Sequence, residues 1–192
     1  MTHTISELFG AAAARAVPVV RGVPDERLGG PTPCAEYDVR ALLNHLFAVV
    51  VNFQAYAVKE DADFSETPDR LHGGWREEFA REAARLAEAW AAPGAEDGVA
   101  GQMAMPARTV ASLALLDLTV HPWDLARATG AYFTPDDACV AELEKLLGQL
   151  GPLPREMKVF GEPVPVGDGA SAFDRLLAAT GRDPAWTPPA GG

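Results

Sequence analysis

Asp117-Leu-Thr-Val-His121-Pro-Trp-Asp124-Leu-Ala-Arg127-Ala-Thr-Gly130 is the stretch on which the fold turns. On an α-helix, at about 100° per residue, Asp117 and His121 lie one turn apart and Asp124 returns to nearly the same face. Leu113, Leu116, Val120 and Trp123 recur beside them at helical spacing, so three groups with metal-ligand chemistry run next to an apolar stripe. Such a helix points its histidine into a bundle rather than into water. Gly130 offers a left-handed stop, which predicts a helix over 109–129. Pro122 is predicted to kink it or to open a new segment, because it removes the backbone bond to Leu118 and restricts His121.

Outward from this helix, the same periodicity recurs. Thr4-Ile-Ser-Glu7 matches a capping box, and Ile5, Leu8, Phe9, Ala12 and Ala16 follow at helical spacing, predicting a helix over 6–20 with a bend or early stop near Val17 at Pro18. Asp38 is an N-cap for a second helix whose Leu42, His45, Leu46, Val49, Phe53 and Tyr56 share one face. Trp75, Phe79, Ala83, Leu86 and Trp90 define a third, with a solvated charged face. Between these helices, 23–33, 61–74 and 95–106 are rich in proline, glycine or polar residues and read as loops, the last suited to lie over a pocket; His72 is expected in solvent. After the central helix, Thr134-Pro135-Asp136-Asp137 reads as cap, first-turn proline and acids of a fifth helix bearing Val140, Leu143, Leu147 and Leu150. Residues 151–169 alternate prolines and glycines with valines and read as an extended strap with room for one short hairpin; 171–180 form a last helix ended by Gly181. Helices without a set of alternating strands define an all-α domain built on a four-helix bundle, 1–150, with an appendage, 151–192, packed on it.

The totals exclude several partners. The chain has 192 residues, 16 Lys plus Arg against 27 Asp plus Glu, and a net charge of -11, so repulsion opposes nucleic acid and anionic membranes. No apolar run reaches the length of a membrane span and no signal-peptide pattern is present, so a cytoplasmic location is expected. Cys34 and Cys139 are too far apart for a zinc knuckle and read as free thiols. Cys34 precedes a helix, where the dipole can lower a thiol pKa, although free cysteine most often packs as a small hydrophobe.

A metal centre needs ligands from more than one element, and a catalytic zinc site keeps three protein ligands with one position open. His45 from the second helix with Asp117 and His121 from the fourth supplies that set. Two imidazoles and a carboxylate suit Zn²⁺, but also Ni²⁺, Fe²⁺ or Mn²⁺, and the ligand types do not choose among them. The competing reading is a pair of core histidines hydrogen-bonded to their neighbours.

Thr32-Pro-Cys-Ala-Glu-Tyr-Asp-Val-Arg-Ala-Leu-Leu-Asn-His45, Val120-His-Pro-Trp-Asp-Leu-Ala-Arg-Ala-Thr-Gly130 and Asp174-Arg-Leu-Leu-Ala-Ala-Thr-Gly-Arg-Asp-Pro184 resemble, in order and separation, the signature stretches of the actinobacterial metal-binding relatives of mycothiol-dependent maleylpyruvate isomerase. That group belongs to the DinB-like four-helix bundles. The resemblance implies metal binding at His45, Asp117 and His121, either directly or, because Asp117 stands where the isomerase has glutamate, with a water between. It implies a thiol cosubstrate such as mycothiol, whose thiolate the metal stabilises, and an S-transferase or isomerase acting on a small electrophilic molecule. Asp124 then supports the ligands from behind or pairs with Arg127. Arg127 and Arg182 are candidates to bind an anionic group of thiol or substrate, and Trp123 is expected in the core. A homodimer paired through helix faces is a further expectation from the resemblance. The isomerase carries a further C-terminal domain for which this chain is too short, so isomerisation of maleylpyruvate itself is not carried over. A bundle that binds metal or thiol without turnover, or a metal-free structural bundle, are the alternative functions.

Overall fold

The computed structural model describes residues 3–156 and 159–189. Four long helices, α1 (Ile5–Gly22), α2 (Val39–Ala57), α3 (Trp75–Trp90) and α4 (Ala107–Thr129), form a bundle. Both α1 and α2 pack against α3 and against α4, so α1 and α2 lie across one diagonal and α3 and α4 across the other. The apolar faces meet in a core that includes Phe9, Phe47, Phe79, Trp90 and Leu115. This is the all-α, DinB-like architecture expected. Among the described residues no helix is long and apolar enough to cross a membrane.

Local chemistry sets the helix ends. At α1 the Glu7 N–H donates to the Thr4 hydroxyl (3.2 Å) and the Thr4 N–H donates to the Glu7 carboxylate (2.9 Å), which satisfies two otherwise orphaned donors. Asp38 caps α2 by accepting from the Ala41 N–H at 2.8 Å. The buried Trp90 indole donates to the Phe53 carbonyl (2.9 Å), which ties α3 to α2. Gly130 ends α4 at φ 76°, where a side chain would be strained.

Several expectations are corrected. The first helix does not stop near Val17 but runs to Gly22, because Pro18 is exposed and water can satisfy the carbonyl it frees. Pro122 likewise neither breaks α4 nor opens a new segment. The helix α5 (Asp137–Leu150) is capped not by Thr134 but by Asp136, whose carboxylate accepts from the Ala138 and Cys139 N–H groups. Its buried face is Cys139, Val140, Leu143 and Leu146, with Leu147 and Leu150 only partly covered.

Three short elements among the described residues went unforeseen: a 3-10 turn (Asp25–Arg27) in the 23–33 loop, a hairpin of β1 (Val99–Ala100) and β2 (Met105–Pro106) in the 95–106 loop, and the single turn α6 (Leu153–Glu156). No strand forms among the described residues of 151–169. Instead the Val164 N–H donates to the Ala178 carbonyl (3.0 Å), which lays the strap along α7 (Ala172–Ala179). At the crossing, Gly181 (φ 86°) meets Gly161 so closely that a Cβ on Gly181 would lie 2.7 Å from the Gly161 Cα. α7 packs on α5, which packs on α4 and α1.

Candidate metal centre

His45 projects from the middle of α2, and Asp117 and His121 from successive turns of α4, across the contact between these helices. The Asp117 carboxylate faces both imidazoles, with Oδ1 3.4 Å from His121 Nε2 and Oδ2 3.6 Å from His45 Nε2. One ligand atom from each of the three lies within 4.8 Å of the other two. The two measured separations are longer than good hydrogen bonds. They match the roughly 3.3–3.6 Å between donors spread tetrahedrally about an ion at about 2.0–2.2 Å. The donor set therefore fits a divalent ion, and the shorter aspartate reaches both histidines.

The orientation of His121 is built from behind. Its Nδ1 lies 2.9 Å from Asp124 Oδ2, and Asp124 has no exposed surface. A carboxylate only accepts, so Nδ1 carries a proton and donates; Nε2 faces Asp117, protonated toward that carboxylate when the ring is charged and offering a lone pair there only when the ring is neutral. Arg182 donates through Nε to both Asp124 oxygens, at 3.2 and 3.1 Å, and neutralises the buried charge. Its second nitrogen is 3.3 Å from His121 Nδ1, a charge contact rather than a hydrogen bond, because both atoms are then donors. The His45 ring is held from its other side by Tyr37, stacked on it at 5.2 Å and 20°.

Burial opposes ionisation of Asp117, yet contacts with His121 and His45 outweigh it and hold the carboxyl far below the usual carboxylate range. Burial alone would lower the pKa of His121, and the carboxylates of Asp117 and Asp124 raise it above the ordinary imidazole value. The Cys34 thiol is pushed up by burial, against the Arg182 charge; the lowering expected from a helix N-terminus is absent because α2 begins only at Val39, behind its Asp38 cap. Cys34, His121 and Asp124 form a second close group, but the Arg182 guanidinium already fills its charge and opposes a cation there.

The three residues open into a cavity of about 610 Å³ walled on the far side by the strap and the turn after α7, including Arg155, Phe160 and Arg182. Arg127 does not line it. Its guanidinium instead donates to the Pro184 and Trp186 carbonyls, at 3.4 Å and at 3.0 and 2.6 Å, so the local Asp124–Arg127 pair is replaced by Asp124–Arg182. Trp123 is buried, as expected. Sequence reasoning missed Tyr37, Arg155 and Phe160. Of these only Tyr37 had a signal, its place just before the α2 cap, eight residues ahead of His45.

Fold and site together define a helical bundle with a His/Asp/His group between two of its helices and a C-terminal segment closing the cavity above it. The chain belongs to the family described as the mycothiol maleylpyruvate isomerase N-terminal domain, whose model matches residues 9–126. It is similar to the uncharacterized proteins MT0763 and Rv0738 of two Mycobacterium tuberculosis strains, each 31% identical over 171 residues, which span 85% of this chain and 90% of the relative. No solved structure matches it significantly.

Proposed function

We propose that the chain binds one divalent metal ion through His45, Asp117 and His121 and, with a low-molecular-weight thiol such as mycothiol, acts as an S-transferase or isomerase on a small electrophilic molecule. The observation that carries this reading is the convergence of the three donors within 4.8 Å at a cavity large enough for a thiol and a small substrate. Zn²⁺ matches two imidazoles and a carboxylate best; Ni²⁺, Fe²⁺ and Mn²⁺ are chemically acceptable. A bound ion of this kind supplies the positive charge that stabilises a thiolate at neutral pH.

The chain's own residues do the rest. Asp124 keeps the His121 proton on Nδ1, and Tyr37 fixes the plane of His45. Arg155 at the cavity wall attracts an anionic group of thiol or substrate, while Arg182 lines the same wall with its charge committed to Asp124. Neither protein cysteine is required as a nucleophile, since burial holds both thiols in their neutral form. A cytoplasmic location, small-molecule rather than nucleic-acid or membrane partners, and pairing as a homodimer belong to the same reading.

Elemental analysis of protein prepared without a histidine tag tests it. One ion per chain, lost in His45→Ala and in His121→Ala, with thiol consumption that follows the ion, is the expected result. No stoichiometric ion in the parent protein sinks the proposal. A metal-replete protein that binds mycothiol but consumes none with a panel of electrophiles reduces it to a binding module.

A further inference from the structure

The contact between α2 and α4 that carries His45 and Asp117 continues along the bundle to a second cavity, of about 420 Å³. Phe53 and Tyr56 of α2 and Leu113 of α4 form its floor, Phe64 one wall, and Met103 and Met105 of the hairpin the other. Leu113 is four residues from Asp117 and Phe53 eight from His45, so this floor is displaced by roughly 6–12 Å along the helices. The volume falls within the range of about 300–1,000 Å³ typical of small-molecule pockets.

Its lining is aromatic and soft. Phe53 meets Tyr56 and Phe64 edge to face, at 5.2 and 5.6 Å between centroids, and Tyr56 lies nearly parallel to Phe64 at 6.3 Å. Phe64 and Met103 are 43% and 59% exposed at the mouth, a concentration of uncovered apolar surface beside a concave site. Two methionines give a wall that adapts to flat ligands. The one charged side chain among the described lining residues is Asp63, with no Lys, Arg or His. The cavity at the metal group differs in holding two arginines, Arg155 and Arg182, together with Glu36, Asp117 and Glu162.

We propose that this second cavity is a separate small-molecule site for a non-anionic aromatic ligand. Ring faces and edges complement another ring, methionine sulfur adds favourable contacts at ring edges, and the Asp63 carboxylate, which accepts from the Ser65 N–H at 2.8 Å but faces no cationic side chain in the lining, repels anions while tolerating neutral or cationic molecules. The site needs neither the metal nor the thiol, so it stands or falls apart from the function proposed above.

The test uses the full chain with ¹³C-labelled methionine methyl groups, the Met103 resonance being assigned by Met103→Leu. Three probes of one shape are titrated: 2-naphthol, a naphthyl trimethylammonium and naphthalene-2-sulfonate. Saturable shifts at Met103 and Met105 are expected with the first two, and binding of the sulfonate at least tenfold weaker. Chelator and His45→Ala should leave these affinities unchanged, whereas Phe64→Ser, at a 43% exposed position and with an unchanged circular dichroism spectrum as the check on its fold, should weaken them at least fivefold. Absence of saturation at both methionines, equal affinity for the sulfonate, or indifference to Phe64→Ser would each overturn the assignment.

Discussion

Replacing Arg182 with methionine should destabilise the metal-free protein by about 3 kcal/mol. Asp124 is fully enclosed, and its carboxylate has two partners: the His121 ring at 2.9 Å and the Arg182 guanidinium, which reaches both oxygens at 3.1–3.2 Å. Arg182 is itself only 11% exposed. Deleting one member of a buried pair leaves a charge that water cannot reach, which ordinarily costs about 3–5 kcal/mol. The lower figure applies because His121 remains and can take a proton to keep Asp124 compensated. Methionine preserves most of the stem's length and apolar packing, so the loss reports charge rather than a cavity.

For a chain of this size the change corresponds to a fall of about 6–12 °C in Tm. Urea unfolding followed by circular dichroism at pH 7 measures it directly. Arg182→Lys should recover little, since lysine places a methylene where Arg182 has the Nε that donates to both carboxylate oxygens. Asp124→Asn combined with Arg182→Met should recover at least half, because the stranded charge is then gone. A loss under about 1 kcal/mol, or a double variant no more stable than Arg182→Met, would refute the reasoning by showing that Asp124 is hydrated or neutral in the folded chain.

The remaining predictions concern protons, thiols and the strap. Asp117 is depressed in the fold, so its contribution is present above the ordinary carboxylate value of about 4 and is lost as pH falls toward its native value; His121 is raised, so its contribution is complete below the ordinary imidazole value of about 6.5 and is lost as pH rises through its native one. Thermal scans of chelated protein should therefore peak between about pH 4 and 6.5 and decline above, and His121→Gln should abolish the decline; a flat profile would contradict the assigned contacts. Burial pushes Cys139 up to about 12 and raises Cys34, so a disulfide reagent at pH 7.5 should titrate Cys34 slowly and Cys139 only on unfolding; rapid reaction of either would contradict its burial. Gly181→Ala combines φ 86° with a 2.7 Å clash against Gly161 and should destabilise by about 1–3 kcal/mol, whereas Gly161→Ala, with its 3.4 Å contact, should cost less; equal values in chemical denaturation would refute the crossing.

Most of the bundle could be read from local rules because local rules decide it. The Thr4/Glu7 box, the Asp38 cap and the Gly130 stop involve neighbours within four residues, and the apolar stripes need only helical periodicity. The misread places are those where burial overrules a local preference or where elements are too short to show a pattern. Proline penalises a helix interior, but Pro18 faces water and its helix is held by Phe9, Ala16 and Val20 in the core. Thr134 and Asp136 are both competent caps, and Asp136 prevails where α5 docks Cys139 against the Leu8 carbonyl. Two-residue strands at 99–100 and 105–106 and a four-residue turn at 153–156 carry no periodicity to detect.

The candidate site divides along the same line. His45, Asp117 and His121 were legible because one helix spacing and one resemblance place them, and the α2–α4 packing brings them together. Asp124 behind His121 was legible too, but its counter-ion was not, because Arg182 comes from 58 residues away. Spacing on α4 nominates Arg127, three residues on, as the partner of Asp124. The C-terminal tail reverses that choice: the carbonyls of Pro184 and Trp186 take the Arg127 donors, and the turn at Gly181 delivers Arg182 to the carboxylate instead. The two arginines thus act as one device. Arg127 fastens the tail, the fastened tail carries Arg182, and Arg182 neutralises the Asp124 that fixes the His121 proton. A contact on the outer face of α4 thereby governs which nitrogen of His121 faces Asp117, which is why the strap and tail belong to the site although they lie outside the matched residues 9–126.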